Sequence, residues 1–478
     1  MKDLAKLALD TACGLGVQYA DIRIISYHQQ NISTEDQRVS GINDSENLGF
    51  GIRVIKNGAW GFAGNNKVNR DQIQNTAKLA VQIAEASSTV IDKPVELVPE
   101  PSHIDEFVSP HEIDPFEVEI DEKVGLLLEI NRRLLSHSGI KKAHGYMTFR
   151  KTERLFANTD GSILKSLVIT SGVQYQATAV GKNDAKTRTY APPPMTKGYE
   201  IIDADDLLEN TKRVAEQAVE HLHADEGPVG KKDLILDPLN LALTMHESVG
   251  HPTELDRVLG MEESLAGRSF ATPDLLNNLQ YGSPIVNFVA YNTLEGGLAT
   301  HGFDDDGVPG QKWYIVKDGI LVGYSTSREV AGEIGLDRSY GSCRADSWGS
   351  IPIVRIPNLC LEPGKKPLTL DELINDTKDG IYIEGMGSFS IDQMRQNFQF
   401  GGDAFWEIKN GKITRMLKNV TYQSITTDFW NSCDAICDER FWVPNGVLNC
   451  GKGDPMQISQ MTHGASPARF RQINVGIG

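Results

Sequence analysis

The spacing of hydrophobic and polar positions predicts that helices and strands alternate along the first half of the chain. Apolar residues recur at helical intervals in four segments, at residues 4–13, 69–86, 121–136 and 204–221. Segments with the composition of strands lie at residues 21–27, 50–55, 60–63 and 145–180. The Asn57-Gly58 pair predicts a tight hairpin turn between the second and third of these strands, because both residue types tolerate positive φ.

The same pattern predicts which side chains are buried. Cys13 belongs to the apolar stripe of the first helix, and Leu79 and Ile83 belong to that of the second. We therefore expect all three side chains in the core. His221 and His223 lie at the polar end of the fourth helix and are expected to be exposed.

A polar segment at residues 223–232, which contains Gly and Pro, separates this half from the rest of the chain. Such segments are typical of domain boundaries. Beyond it, a short strand leads to Asp237 and Pro238, which favour the start of a helix over residues 239–249. From residue 283 onward the pattern is mostly that of strands and turns.

These patterns predict an α+β fold with mixed or antiparallel sheets and packed helices. We predict two domains, an N-terminal α+β domain over residues 1–225 and a β-rich C-terminal domain over residues 226–478. The 45 glycines among 478 residues agree with a fold rich in tight turns.

Composition excludes several classes of protein. The net charge is −17 and no dense Lys/Arg cluster occurs, so we expect no direct binding to nucleic acid. No segment approaches the ~20 apolar residues of a membrane span. Charges within residues 1–10 predict an amphipathic helix rather than a signal peptide, and six scattered cysteines do not form a disulfide framework. We expect a cytoplasmic protein.

The string HESVGH at residues 246–251 is the motif that carries chemistry. In the familiar HExxH motif, a spacing of four places both imidazoles on one face of a helix. A spacing of five at roughly 100° per residue places His246 and His251 about 140° apart on a regular helix. We therefore expect the helix to end or to widen into a π-type turn near Gly250 and Pro252, so that both rings reach one ion.

Zinc in a hydrolytic site takes three protein ligands and leaves one position for water. Glu247, next to the first histidine, has the position and chemistry of a general base. Spacing alone does not identify the third ligand, and seven side chains remain candidates: Cys433, Cys437, Cys450, His301, His463, Glu254 and Asp256. Cys450 stands out because it lies in a glycine-rich turn beside Lys452, which favours the thiolate.

Several segments together resemble the TldD/PmbA family, whose members are also described as modulators of DNA gyrase. Besides the string at 246–251, the resemblance rests on segments at residues 16–23, 49–63, 304–311 and 445–452. It implies a zinc metalloprotease that acts on unfolded or flexible peptides, with His246, His251 and Cys450 as metal ligands and Glu247 as the catalytic base. It also implies a homodimer, or a heterodimer with a PmbA/TldE-like paralogue that lacks the histidine motif.

Two other functions remain open. One is a non-catalytic binding or modulator protein with a vestigial metal site, and the other is a zinc amidase that acts on a small molecule. Three further features are expected to be structural. We interpret the i,i+4 pair Cys433 and Cys437 as helix packing and residues 304–306 as a solvated acidic turn. The glycines around residues 385–387 and 401–402 predict ordinary turns, with the flanks of an open edge strand as the alternative.

Overall fold

The computed structural model describes residues 1–476. The α-helices in this part of the chain are α1 (Lys2–Gly14), α2 (Arg70–Ser87), α3 (Ile120–Leu135), α4 (Ala204–His223), α5 (Pro238–Met245), α6 (Leu255–Val258), α7 (Leu370–Asn375) and α8 (Thr426–Asn431). The first seven strands are β1 (Tyr19–Glu35), β2 (Arg38–Lys56), β3 (Ala59–Asn65), β4 (Ile104–Val108), β5 (Ile140–Asn158), β6 (Ile163–Val180) and β7 (Ala185–Tyr190). No helix in these residues is long and apolar enough to cross a membrane.

The remaining strands all follow residue 224. They are β8 (Asp225–Glu226), β9 (Gly230–Leu236), β10 (Phe288–Tyr291), β11 (Lys312–Lys317), β12 (Ile320–Leu321), β13 (Cys343–Arg344), β14 (Ile353–Val354), β15 (Leu359–Leu361), β16 (Asp379–Glu384), β17 (Phe389–Ile391), β18 (Asn397–Phe400), β19 (Ala404–Lys409), β20 (Lys412–Lys418), β21 (Tyr422–Ile425), β22 (Cys433–Ile436), β23 (Val443–Lys452), β24 (Gln457–Ala465) and β25 (Ala468–Val475). The predicted α+β class with mixed and antiparallel sheets is confirmed.

The first seven strands form one sheet with the order β3-β2-β1-β5-β6-β4, and β7 pairs with β6. Because successive side chains alternate between faces, the even positions of β1 lie on one face of this sheet. Ile22 and Ile24 on that face pack with α1 and α2, and Ile32 packs with α3 and α4. The four helices therefore cover one face and leave the other to the second half of the chain.

The second half contains a ten-stranded sheet with the order β17-β18-β21-β25-β9-β16-β19-β20-β8, in which β22 also pairs with β25. The β9–β16 and β20–β8 pairs are parallel and the other pairs are antiparallel. A four-stranded sheet (β12-β11-β10-β15) and two hairpins (β13-β14 and β23-β24) complete this half. Strand β9 lies inside the large sheet, and α5 follows it directly.

Buried charges join the two halves. The expectation of a solvated acidic turn at 304–306 is wrong, because Asp304, Asp305 and Asp306 are only 1%, 3% and 2% exposed. Arg53 donates to Asp306 at 2.7 Å and to Asp21 at 2.8 Å, and Arg154 donates to Asp305. These arginines lie on the face of the first sheet that the four helices leave uncovered. The acidic turn supplies the negative charges that allow these arginines to be buried.

Several predicted side-chain positions are wrong. Cys13 is exposed, because α1 buries Ala5, Ala8 and Ala12 instead. Leu79 and Ile83 are also exposed, because α2 turns Ala77, Ala80 and Ala84 toward the sheet. Small side chains allow the close approach seen at Gly61, where an added Cβ would lie 2.0 Å from the Ala80 carbonyl oxygen. Residue size, and not only apolar periodicity, therefore decides which helical stripe faces inward.

One interpretation of a local segment is also corrected. Cys433 begins strand β22 and Cys437 lies just beyond it, so this pair is not helix packing. The glycine segments flank β17 and β18, of which β17 is the terminal strand of the large sheet, and Asn240 donates to the carbonyl oxygens of Gly385 and Gly401 at 2.8 Å each. Their backbones approach each other because Gly387 has no side chain, and a Cβ there would lie 2.5 Å from the Gly402 nitrogen.

The buried charges predict a large loss of stability when one partner is neutralised. Asp305→Asn leaves Arg154, and also Arg23 at 3.7 Å, without its counter-charge. We expect a decrease in the free energy of unfolding of about 3–5 kcal/mol, measured by urea denaturation. The matched control is Glu263→Gln, which breaks an exposed pair with Arg268 and is expected to change stability by less than about 1 kcal/mol. Equal effects of the two substitutions would contradict this account.

His221 predicts an acid-sensitive contribution to stability. Its side chain is buried against Phe405 rather than exposed as expected, and burial lowers its pKa to about 4. The unfolded chain, with an ordinary histidine pKa of about 6.5, takes up the proton first, so the stability contribution is lost as pH falls from 6.5 toward 4. We expect His221→Leu to reduce the pH dependence of unfolding in this range. The equivalent change at His223, which is exposed on the same helix, is expected to leave that dependence unaltered.

Candidate metal centre

Helix α5 begins at a side-chain cap, and its residues from Asn240 to Met245 are buried. Asp237 accepts hydrogen bonds from the backbone N–H of Asn240 at 2.7 Å and of Gly385 at 3.0 Å. Pro238 occupies the first helical position, where its missing N–H costs nothing. The cap thus fixes the start of the helix at the end of β9, as the sequence predicts.

The helix widens at the histidine motif. Residues 246–250 form a π-helical turn, in which the His251 N–H donates to the His246 carbonyl oxygen, five residues back. This bond brings the two imidazoles together, with ring centroids 4.8 Å apart. The predicted widening into a π-type turn is therefore confirmed.

The predicted reason for the widening is wrong in one respect. His251 keeps helical dihedrals (φ −61°, ψ −43°) although Pro252 follows it. Pro252 acts instead through its missing N–H, since the Ser248 carbonyl oxygen accepts from the Tyr281 hydroxyl. Gly250 is required by close packing, because a Cβ there would lie 2.9 Å from the Ile356 Cδ1 atom.

The β23–β24 hairpin brings a thiol to the two histidines. Ligand atoms of His246, His251 and Cys450 lie within 4.8 Å of one another, and the Cys450 Sγ is 3.5 Å from the His251 Nε2. All three side chains are buried. A register shift between Val447 and Cys450 interrupts the regular alternation of β23 just before the cysteine.

Each histidine has a partner on its other ring nitrogen. The Nδ1 of His251 lies 2.8 Å from the Glu254 carboxylate, and the Nδ1 of His246 lies 2.8 Å from the Nε2 of His463. Partners of this kind fix the orientation of metal-binding imidazoles in proteins. The Nε2 atoms are thereby left to face the thiol.

A buried lysine balances the acidic groups behind the site. Lys452 lies 2.7 Å from Asp256 and 3.3 Å from Glu254. Burial opposes ionisation of Glu254, but Lys452 and then His251 outweigh it and hold the pKa of this carboxyl well below its usual range. Glu254 is therefore an ionised partner for His251.

The thiol is also poised to ionise. Burial alone would raise the pKa of Cys450, but the neighbouring His251 ring outweighs it and the pKa is lowered. Thiolates are the form in which cysteine binds zinc. Two imidazole nitrogens and one thiolate at this spacing fit a tetrahedral zinc ion with one open position.

Glu247 lies on the same π turn and is paired with an arginine from another loop. Burial would raise the pKa of Glu247, but His251, His246 and Arg395 together lower it, so the carboxylate is ionised at neutral pH. Arg395 donates to the Glu247 Oε2 from the loop between β17 and β18. That residue has φ of +62°, a conformation that the surrounding loop must impose.

Comparison with known proteins agrees with this site. Residues 20–84, 113–224 and 229–476 match domain 1, the central domain and the C-terminal domain described for PmbA/TldA metallopeptidases. The chain belongs to the PmbA/TldD family. The resemblance seen in the sequence is confirmed, and the third matched segment contains the whole candidate metal centre.

Relatives extend over nearly the whole chain. A metalloprotease of Methanocaldococcus jannaschii is 29% identical over 434 residues, which cover 91% of this chain and 92% of that protein. A zinc metalloprotease TldD homologue of Saccharolobus solfataricus is 23% identical over 475 residues, 97% of each chain. The similarity of this PmbA/TldD family member to proteins named as metalloproteases therefore extends over nearly their full length.

Solved structures share the fold. A Thermotoga maritima protein described as a candidate modulator of a DNA gyrase has a TM-score of 0.80 at 15% identity, over 99% of this chain and 100% of that one. TldE from Thermococcus kodakarensis has a TM-score of 0.74 at 13% identity, over the full length of both chains. The chain thus has the same overall fold as these two structures.

The structure places the seven candidate third ligands differently. Of the seven, only Cys450 lies beside both histidines. His463 contacts the outer ring nitrogen of His246, Glu254 contacts that of His251, and Asp256 pairs with Lys452. His301 is bonded to backbone carbonyls, and Cys433 and Cys437 lie on or beside β22. The sequence does not predict the contacts of Glu254 and His463 with the histidines, nor the position of Arg395. Only the HxxE spacing of His251 and Glu254 indicates one of these contacts.

The converging donors predict stoichiometric zinc binding. We expect about one zinc per chain, measured by elemental analysis, and a loss of affinity in Cys450→Ser of at least about 100-fold, because a lost ligand costs more than a lost outer partner. Cys437→Ser is the matched control, since Cys437 is a buried free thiol outside the site. Retention of full affinity in Cys450→Ser would remove the thiol from the ligand set.

Proposed function

We propose that this protein is a zinc-dependent peptidase that hydrolyses peptide bonds of unfolded or flexible peptides. His246, His251 and Cys450 are the proposed ligands, and Glu247 is the proposed catalytic base. The observation that carries the proposal is the position of Glu247, an ionised, buried carboxylate adjacent in sequence to one of three converging donors. Relatives named as metalloproteases support it.

The residues of the chain divide the chemistry between them. When bound, zinc supplies Lewis-acid chemistry, which lowers the pKa of a water molecule and polarises a carbonyl group. Glu247 takes the proton of the attacking water on a carboxylate oxygen as the new C–O bond forms. It then gives that proton to the amide nitrogen as the C–N bond breaks. Arg395, bonded to the Glu247 Oε2, keeps the carboxylate ionised for the first of these transfers.

Burial of the site supports the choice of substrate. The side chains of His246, Glu247, His251 and Cys450 belong to residues that are only 4–6% exposed. A rigid folded surface cannot bring a peptide bond to groups at this depth, whereas a flexible segment can enter as a single extended strand. We therefore infer that unfolded chains are the substrates.

The proposal includes a partner and a compartment. A TldE structure is among the structural neighbours, and we propose that the protein acts as a dimer, either with itself or with a TldE-like paralogue. The six cysteines are all free, which agrees with a reducing compartment such as the cytoplasm. Light scattering of the purified protein, alone and with a co-expressed paralogue, distinguishes the two kinds of dimer.

The proposed base predicts a variant that separates binding from catalysis. Glu247→Gln keeps the size of the side chain but cannot accept the proton, so we expect retained zinc and a decrease in kcat of about 100- to 10,000-fold on flexible peptides. Activity is measured by mass spectrometry of the products. Glu106→Gln, which alters an exposed carboxylate paired with Lys165 on the first sheet, is the matched control and should keep full activity.

Three outcomes would reject parts of the proposal. Equal activity of Glu247→Gln and wild type would remove Glu247 from its role. Absence of zinc from the wild-type protein would favour a binding or modulator protein with a vestigial site. Hydrolysis of small amides with no dependence on chain length would favour a zinc amidase.

A further inference from the structure

We propose that His463 is a positioning residue that sets the tautomer and orientation of His246, so that the Nε2 lone pair of His246 faces the other two donors. The inference rests on the proposed metal site, but it concerns a residue outside the ligand set. His463 is fully buried and lies on β24, in the hairpin that also carries Cys450.

The position of the proton on His463 follows from its hydrogen-bond partners. Its Nδ1 lies 3.1 Å from the Leu359 carbonyl oxygen, which can only accept a hydrogen bond. The Nδ1 atom therefore carries the proton. His463 is fully buried, and its two hydrogen-bond partners, the Leu359 carbonyl and the His246 ring, carry no negative charge that would balance an imidazolium, so the ring holds only this proton and its Nε2 atom is an acceptor.

The tautomer of His246 follows from that of His463. Its Nδ1 lies 2.8 Å from the Nε2 of His463, and because that atom accepts, the Nδ1 of His246 must donate. A neutral imidazole carries one N–H, so the Nε2 of His246 holds a free lone pair. The bonds run from His246 through His463 to the Leu359 carbonyl, and they select the tautomer that can bind a metal.

The β23–β24 hairpin carries both Cys450 and His463. His463 pairs with Asn445 across the β23–β24 hairpin, and Cys450 pairs with Ser459 in the same hairpin. This hairpin therefore supplies both the Cys450 thiol and the ring that orients His246. His251 receives the equivalent support from Glu254, which lies on the same segment of chain as His251. The two histidines are oriented by different means, and only the His246 arm depends on the hairpin.

The experiment compares two substitutions of equal length. His463→Gln offers a carbonyl oxygen to His246 and an amide N–H to Leu359, whereas His463→Met offers neither. We expect His463→Met to weaken zinc binding about 10- to 100-fold and His463→Gln to stay within about threefold of wild type. Affinity is measured by competition with a chromophoric chelator, and cobalt absorption spectra report whether the ligand geometry changes.

The matched control is His301→Met. His301 is also buried, with its ring nitrogens 2.9 Å and 3.1 Å from the carbonyl oxygens of Ala299 and Gly341, but it contacts none of the three donors. A general effect of removing a buried histidine would weaken binding equally in His301→Met and His463→Met. Equal zinc affinity of His463→Met and wild type would overturn the proposal.

A second measurement needs no substitution. Nitrogen-15 NMR of protein labelled only at histidine reads the tautomer of each ring directly in metal-free protein. We expect His463 protonated at Nδ1 and His246 protonated at Nδ1, and protonation of His246 at Nε2 would overturn the inference even if His463→Met does not fold. Wild-type protein that shows these tautomers but binds no zinc would reject the proposed function and leave the positioning role intact.

Discussion

The candidate site depends on one backbone hydrogen bond, from the His251 N–H to the His246 carbonyl oxygen. A regular helix would pair His251 with Glu247 and turn the two imidazoles away from each other. The wider turn instead places both rings on one side, where the hairpin strand β23 can bring Cys450 to them. The same turn leaves Glu247 beside the donors without making it one of them.

The wider turn persists because its surroundings satisfy the groups that it leaves free. The Tyr281 hydroxyl bonds to the Ser248 carbonyl oxygen, and the Thr253 hydroxyl bonds to that of Val249 at 2.7 Å. Unpaired buried carbonyl groups would otherwise oppose this geometry. The π turn thus depends on the packed domain and not on the hexapeptide alone. The spacing of the two histidines therefore predicts the widening of the helix but not the side chains that bond to its free carbonyl groups.

The sequence could predict what is periodic or local. Helix α4, the hairpin at Asn57 and the cap at Asp237 follow from patterns within a few residues, and the family segments identified the metal motif and Cys450. The burial of His221 and of Asp304–Asp306 could not be predicted, because both depend on contacts between the two halves. Arg53 and Asp306 are 253 residues apart in sequence, and no local pattern relates them.

Charge compensation favours a thiol over the neighbouring carboxylates as the proposed third ligand. Glu254 is neutralised by Lys452, and Glu247 is paired with Arg395, so each carboxylate beside the histidines already has a cation. Cys450 differs from these carboxylates, since the group that lowers its pKa most is His251, itself one of the three side chains that converge here. A divalent cation bound at this position would take the place of the His251 proton as the counter-charge of the thiolate, whereas a carboxylate ligand would have to give up its pair with Lys452 or Arg395. This balance favours Cys450 over its acidic neighbours as the proposed ligand.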